Sequence, residues 1–222
     1  MKQTKLILTG AILFIALFTV SCISKNNEYQ TGLELGIVRK TENKTFVDMD
    51  SDNIFEIVEG NTSRLNNNAR IIASFIIDHN VQKNPTDNSY PVRLYYWDSV
   101  RIVKIINVEE VTEETGNDPV VLLDSWISKN FINILFEIKG REYKKHSVSL
   151  VNLRQVADST ATFELRHNSH KDSPDFRGKK IISFPINEAF KKDFKKYSIK
   201  FKKDKNSEEN RTFNVNPQRK KK

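Results

Sequence analysis

The sequence predicts an all-β protein, an OB-like five-stranded barrel followed by an antiparallel β-sandwich. Three observations carry that expectation. Apolar and polar residues alternate with a period of two through most of the chain, whereas helical spacing occurs only locally. The strand-like segments fall into two sets, about five or six before residue 112 and about seven after residue 118. Charge divides at the same place: residues 23–115 carry 10 Lys and Arg against 15 Asp and Glu, and residues 116–222 carry 24 against 13. The net +8 of the 222-residue chain therefore belongs to its second half.

The chain opens with Lys2 and Lys5, followed by an uncharged, mostly apolar stretch from Leu6 to Val20. That stretch is shorter than the roughly 18 residues of a spanning helix and suits a secretory signal. Cys22, the single cysteine, stands where cleavage would fall, and Thr19-Val20-Ser21-Cys22 resembles a bacterial lipoprotein box. Residues 1–21 are therefore expected to be a signal peptide and Cys22 a lipidation site. Residues 22–30 would form a tether. Several acyl chains, at about 0.8 kcal/mol per buried methylene, hold a protein stably at a membrane. The expected location is the cell envelope, lipid-anchored at the outer membrane, with nucleic acid excluded as a partner by compartment.

Residues 31–112 are expected to form the barrel. Leu33, Leu35 and Ile37 alternate, Thr45 to Val47 and Ile54 to Val58 bracket an Asp-rich turn, and Ile71, Ala73, Phe75 and Ile77 alternate again. Val92, Leu94 and Tyr96 follow with Tyr96 expected inward, and Val100 to Val108 reads as one more strand. So few strands in so short a segment must protect their edges, and a closed barrel does so. Residues 113–117, Glu-Glu-Thr-Gly-Asn before Asp118-Pro119, have a linker's composition. Residues 118–216 would then form the sandwich, with Ile132, Ile134, Phe136 and Ile138 on one face and Phe163, Leu165 and His167 on another. A short helix is expected at Glu188 to Lys196, where Phe190 and Phe194 share helical spacing. Residues 217–222 form a basic tail.

Several chemistries are excluded. The seven glycines include no dinucleotide or P-loop spacing, and Gly32 and Gly36 enclose Glu34 where a nucleophile elbow needs Ser. One cysteine allows neither an intrachain disulfide nor a multi-cysteine zinc site. No cofactor is expected, and no catalytic residue. Asp48, Asp50 and Asp52, with Glu59 at the twelfth position, resemble a calcium loop, since carboxylates two residues apart can turn toward one hard cation. The sixth position is Asn53 and the flanks read as strands, so a hairpin turn competes with the metal site. Arg166, His167 and Asn168 are candidate binding residues. Because His167 shares a strand face with Phe163 and Leu165, a hydrogen-bonded core histidine competes, with Asn133 or Ser149 as expected partners. Tyr95-Tyr96-Trp97 beside Arg93 and Arg101 has the make-up of a stacking platform, or of a barrel edge.

From Gly116-Asn117-Asp118-Pro119 onward, the chain resembles a known family. Trp126, Phe131 to Phe136, His146 to Val151, Phe163-Glu164-Leu165-Arg166-His167-Asn168 and Gly178 to Ile186 follow in an order similar to the NigD-like lipoproteins of Bacteroidetes. The resemblance implies an OB-like domain before a β-sandwich and a link to bacteriocin production or immunity, and it brings no enzymatic activity. The expected function is a non-catalytic binding module whose partner is an envelope protein, a bacteriocin or a glycan. The alternative is an enzyme or glycan-binding protein acting on envelope polymers near Arg166, His167 and Asp172.

Overall fold

The computed structural model describes residues 27–157 and 159–215. The signal peptide, Cys22 and the basic tail at 217–222 lie outside the described residues.

Six strands build the first unit: β1 (Glu28–Gln30), β2 (Glu34–Lys40), β3 (Thr45–Met49), β4 (Ile54–Glu59), β5 (Arg70–Asp78) and β6 (Tyr90–Ser99). Strands β2, β3 and β4 form an antiparallel meander. Strand β4 then pairs parallel with β6, β6 pairs antiparallel with β5, and β5 returns to β2, which closes a five-stranded barrel. Strand β1 extends the same side of β5 as β2. Closure leaves no long free edge around the barrel. The alternating apolar residues meet inside: Val38, Val47, Met49, Ile71, Phe75 and Val92 are buried, with Phe55 edge-on to Phe75 at 5.0 Å. Burial of each such side chain contributes roughly 1.5–3 kcal/mol.

The second unit is a sandwich of nine strands. One sheet holds β7 (Arg101–Ile102), β9 (Val121–Ser128), β10 (Phe131–Gly140) and β13 (Phe176–Pro185), in the order β7-β13-β10-β9. The other holds β8 (Ile106–Asn107), β11 (Ser147–Ala157), β12 (Thr160–Asn168), β14 (Lys196–Lys202) and β15 (Glu208–Asn214), in the order β15-β14-β12-β11-β8. Hairpin neighbours pair antiparallel, while β12–β14, β11–β8 and β13–β7 are parallel. Ile132, Ile134, Phe136, Ile182 and Phe184 of one sheet meet Leu150, Phe163, Leu165, Ile199 and Phe201 of the other in one core. The expected helix forms as α1 (Glu188–Asp193), capped by the Asn187 side chain accepting from the Phe190 amide.

Two details differ from the sequence reading. The apolar run from Val100 to Val108 is not a single barrel strand. Its first part, β7, pairs with β13, and its second, β8, pairs with β11, so the chain crosses from one sandwich sheet to the other. The division between the sheets of the two units therefore falls at Val100 rather than at 113–117. Residues 113–115 instead form a 3-10 turn with Thr115 buried, and Gly116 lies against β12 at φ +68. A Cβ on Gly116 would stand 2.5 Å from Asn168 Cβ, so the turn packs this closely only with glycine there.

Candidate functional site: the cleft between barrel and sandwich

The Asp-rich segment is a hairpin turn between β3 and β4, closed by the Met49 amide donating to Asn53 O at 2.8 Å, with Asp52 in the left-handed region at φ +71. Its carboxylates do not converge. Asp48 accepts from Arg39 Nε and Nη2 at 3.1 and 3.2 Å, Asp52 pairs with Lys129, and Glu59 lies 3.8 Å from Arg93. Among the described residues no three His, Cys, Asp or Glu side chains gather as a metal site would require.

Asp50 has a different setting. Its two oxygens accept from Arg70 Nη1 and Nη2 at 3.1 and 2.7 Å, and the Ser128 hydroxyl also donates to it. The Arg70 side chain, fully buried, donates further to Ser183 Oγ at 2.8 Å and to Asn133 Oδ1 at 2.9 Å, with its guanidinium 4.2 Å from the centre of the Phe131 ring. Arg70 and Asp50 belong to the barrel, the other four residues to the sandwich. The two units are thus joined through a desolvated ion pair whose charges are bonded on both sides.

The Arg166-His167-Asn168 segment lies on β12 with alternate burial, as a strand requires. Arg166 Nε stands 3.0 Å from Glu164 Oε2, an ion pair without hydrogen-bond alignment. Asn168 Nδ2 donates to Glu114 O at 3.0 Å and ties down the 3-10 turn. His167 is buried, but its partners are neither Asn133 nor Ser149. Nε2 faces His146 Nδ1 at 2.9 Å and Nδ1 faces Pro119 O at 3.0 Å. His146 Nε2 in turn faces Asp172 Oδ2 at 2.9 Å. Asp172 also accepts from the amides of Glu142, Arg141 and Ser173, and the Glu142 amide, with the His146 ring and the other two amides, holds its carboxyl far below the usual range. Burial pushes the His167 ring down from 6.5, against the raising effect of Pro119 O. Gly140 makes room for this line of groups, since a Cβ there would stand 2.5 Å from His146 Cε1. All three groups named for the enzyme alternative, Arg166, His167 and Asp172, are thus engaged within the protein.

The aromatic segment on β6 departs from the expected alternation. A register shift opposite Ser74 and Phe75 leaves Tyr95 as an extra residue, so Trp97 rather than Tyr96 packs on the barrel core. Tyr95 and Tyr96 are 60% and 47% exposed, and Tyr96 forms one wall of a cleft of about 480 Å³ between barrel and sandwich. Leu33 and Ile72 line it from the barrel, Leu135 and Ile181 from the sandwich, and Lys144, Lys179 and Lys180 bring positive charge. This cleft is the open concave surface on which both units meet. Sequence reasoning missed the cleft, because its residues lie far apart in the chain; of its lining, the sequence singles out only Tyr96 and Arg101, as part of a stacking platform.

Residues 102–216, more than half of the chain, match the NigD-like C-terminal beta sandwich domain. The chain belongs to the NigD-like family. Among solved structures, a protein of unknown function from Bacteroides vulgatus is similar, with a TM-score of 0.70 and 18% identity over 85% of this chain and 92% of that one. A NigD-like immunity protein from Bacteroides caccae superposes with a TM-score of 0.61 and 16% identity, over 82% of this chain and 93% of its own. A candidate lipoprotein from Bacteroides fragilis gives 0.57 and 15%, over 86% and 98%. No curated protein matches the sequence. The match begins at Ile102, inside β7 and before the 113–117 segment, in agreement with the place where the sheets divide.

Proposed function

We propose that this NigD-like chain is a non-catalytic binding protein of the cell envelope, lipid-anchored through Cys22, with a role in bacteriocin production or immunity. The observation that carries the reading is the cleft of about 480 Å³ between barrel and sandwich, lined by apolar side chains and three lysines. A concave surface of this make-up suits recognition. The bacteriocin link rests on the NigD-like immunity protein of Bacteroides caccae, and the envelope location on the lipoprotein box and the Bacteroides fragilis neighbour. The partner on this reading is a bacteriocin or an envelope protein; the glycan alternative has only the exposed Tyr95 and Tyr96 in its favour.

The test is deletion of the gene from its own strain, followed by challenge with culture supernatant of sibling strains. Loss of protection, restored by the parent gene and not by Cys22→Ala, is the expected result. Unchanged survival and unchanged inhibitor release would overturn the bacteriocin role.

A further inference from the structure

Strand β13 has a strand neighbour along its whole length on one side only. Strand β10 pairs with it from Phe176 to Pro185, whereas on the other side β7 covers only Ile182 and Ser183. Among the described residues nothing pairs with the outer edge from Phe176 to Ile181. An unpaired edge of this kind is a template for an incoming strand. Six residues extend about 20 Å, enough for a short peptide.

The edge has a marked chemistry. Side chains alternate, so Lys179 and Ile181 share the face of Ser183, which is turned toward the barrel through Arg70, and Lys180 shares the opposite face. On the barrel side, Ile181 continues the apolar wall made by Leu135, Ile72, Tyr96 and Leu33. On the other, Lys180 Nζ sits 5.8 Å from the Tyr143 ring centre, and the buried Tyr143 hydroxyl has no hydrogen-bond partner. Lys144, Lys179 and Lys180 make no ion pair with any described residue, and Asp98 is the single acidic residue of the cleft. Lysines on an edge also discourage pairing between identical chains, and two copies joined here would bring six unpaired lysines together. An acidic strand meets the opposite situation.

We infer that the outer edge of β13, from Phe176 to Ile181, receives an extended acidic segment of a partner protein as an added strand, with its carboxylates on the face of Lys180, alternate apolar side chains against Ile181 in the cleft, and Lys144 and Lys179 adding positive charge around it. This rests on the binding reading above and names the class of partner. Backbone hydrogen bonds to the edge supply affinity without sequence preference, and the lysines and apolar wall select the sequence.

The test uses the full chain in detergent and fluorescent octapeptides. One alternates glutamate with isoleucine, a second replaces glutamate by lysine, and a third is the acidic peptide with N-methylated backbone amides. The acidic peptide should bind saturably, the other two at least about tenfold more weakly, and Lys179→Glu with Lys180→Glu should reverse the preference for charge. Both lysines are exposed, so an unchanged melting temperature of the double variant is the check on folding. Equal binding of the N-methylated peptide would overturn strand addition. Binding of phosphatidylglycerol vesicles, lost in the double variant, with no peptide binding would make the surface a lipid contact instead. A dimer in sedimentation that the double variant abolishes would make the occupant a second copy. Peptide binding with unaltered bacteriocin sensitivity on gene deletion would leave this site standing and sink the bacteriocin role; the converse result would do the opposite.

Discussion

His146 Nδ1 lies 2.9 Å from His167 Nε2, and through this pair the Asp172 carboxylate on one loop is linked to the Pro119 carbonyl on another. The three contacts along this line need three protons, and two neutral imidazoles carry only two. Removing the His167 ring leaves His146 Nδ1 and Pro119 O without their partner in a buried place. His167→Ala should therefore lower stability by about 1–3 kcal/mol in urea unfolding. A variant as stable as the parent would show that water replaces the ring without loss.

The same pair sets a dependence on pH. Burial holds the His167 pKa below its ordinary 6.5, against the raising effects of Pro119 O and Asp118, while His146 and His170 lower it further. In the unfolded chain the ring takes up its proton first, so the unfolded state binds more protons between the two values. Stability from this residue is present above about pH 6.5 and falls as the pH drops through 6.5 toward the lower folded value. Urea midpoints measured between neutral and mildly acidic pH should decline in the parent and lose that component in His167→Ala. A parent midpoint that rises on acidification would contradict the lowered pKa of the buried His167 ring.

Gly140 offers a test without removing any polar group. The added methyl of Gly140→Ala would stand 2.5 Å from His146 Cε1 and 2.7 Å from Asp172 Oδ2, so one of them must move. Overpacking of this kind costs about 1–3 kcal/mol. The amide proton signals of Arg141 and Glu142, which donate to Asp172, should shift in the same variant. Unshifted signals would show that the backbone at Gly140 yields instead.

Arg70 joins the units through Asp50 on its own side and Ser183 and Asn133 on the other. Arg70→Ala leaves the Asp50 carboxylate buried without its cation, and such a loss costs about 3–5 kcal/mol. The expected signature is a fall in cooperativity, with barrel and sandwich unfolding at separate urea concentrations where the parent shows one transition. A single unchanged transition would contradict a structural role for the network.

Autonomous units should respect the sheet division. We propose that residues 27–100 and 101–216, rather than a pair cut at 113–117, are the pieces able to fold apart, because β7 and β8 complete the two sandwich sheets. A sandwich fragment beginning at residue 118 should be less stable than one beginning at residue 101 in thermal unfolding. Equal melting would show that β7 and β8 add nothing to the sandwich.

Local alternation made much of this fold legible. Ile132 to Ile138 and Phe163 to His167 point where a period of two places them, because β10 pairs with β13, and β12 with β11, without interruption over those residues, and the irregularity between β10 and β9 puts its extra residue on β9. Tyr96 does not, since the register shift opposite Ser74 and Phe75 reverses the phase, and such a shift leaves no mark in the composition of the strand. The run from Val100 to Val108 is apolar enough for one strand, and only the positions of β11 and β13 reveal that it is two. Asp48, Asp50 and Asp52 have the spacing of cation ligands, but a turn aims them at Arg39, Arg70 and Lys129 in three directions. Arg70 is an ordinary arginine at the head of an apolar strand until Ser183, 113 positions later, is folded beside it.

That separation bears on how the chain is made. A polypeptide made from its N-terminus completes its barrel strands while Asn133 and Ser183 are still 63 and 113 residues behind Arg70. What the nascent barrel presents to water at that place meanwhile is the Arg70–Asp50 pair. A half-made molecule therefore carries this part of its unfinished seam as charge, which water tolerates, and the same two side chains later fasten the two units.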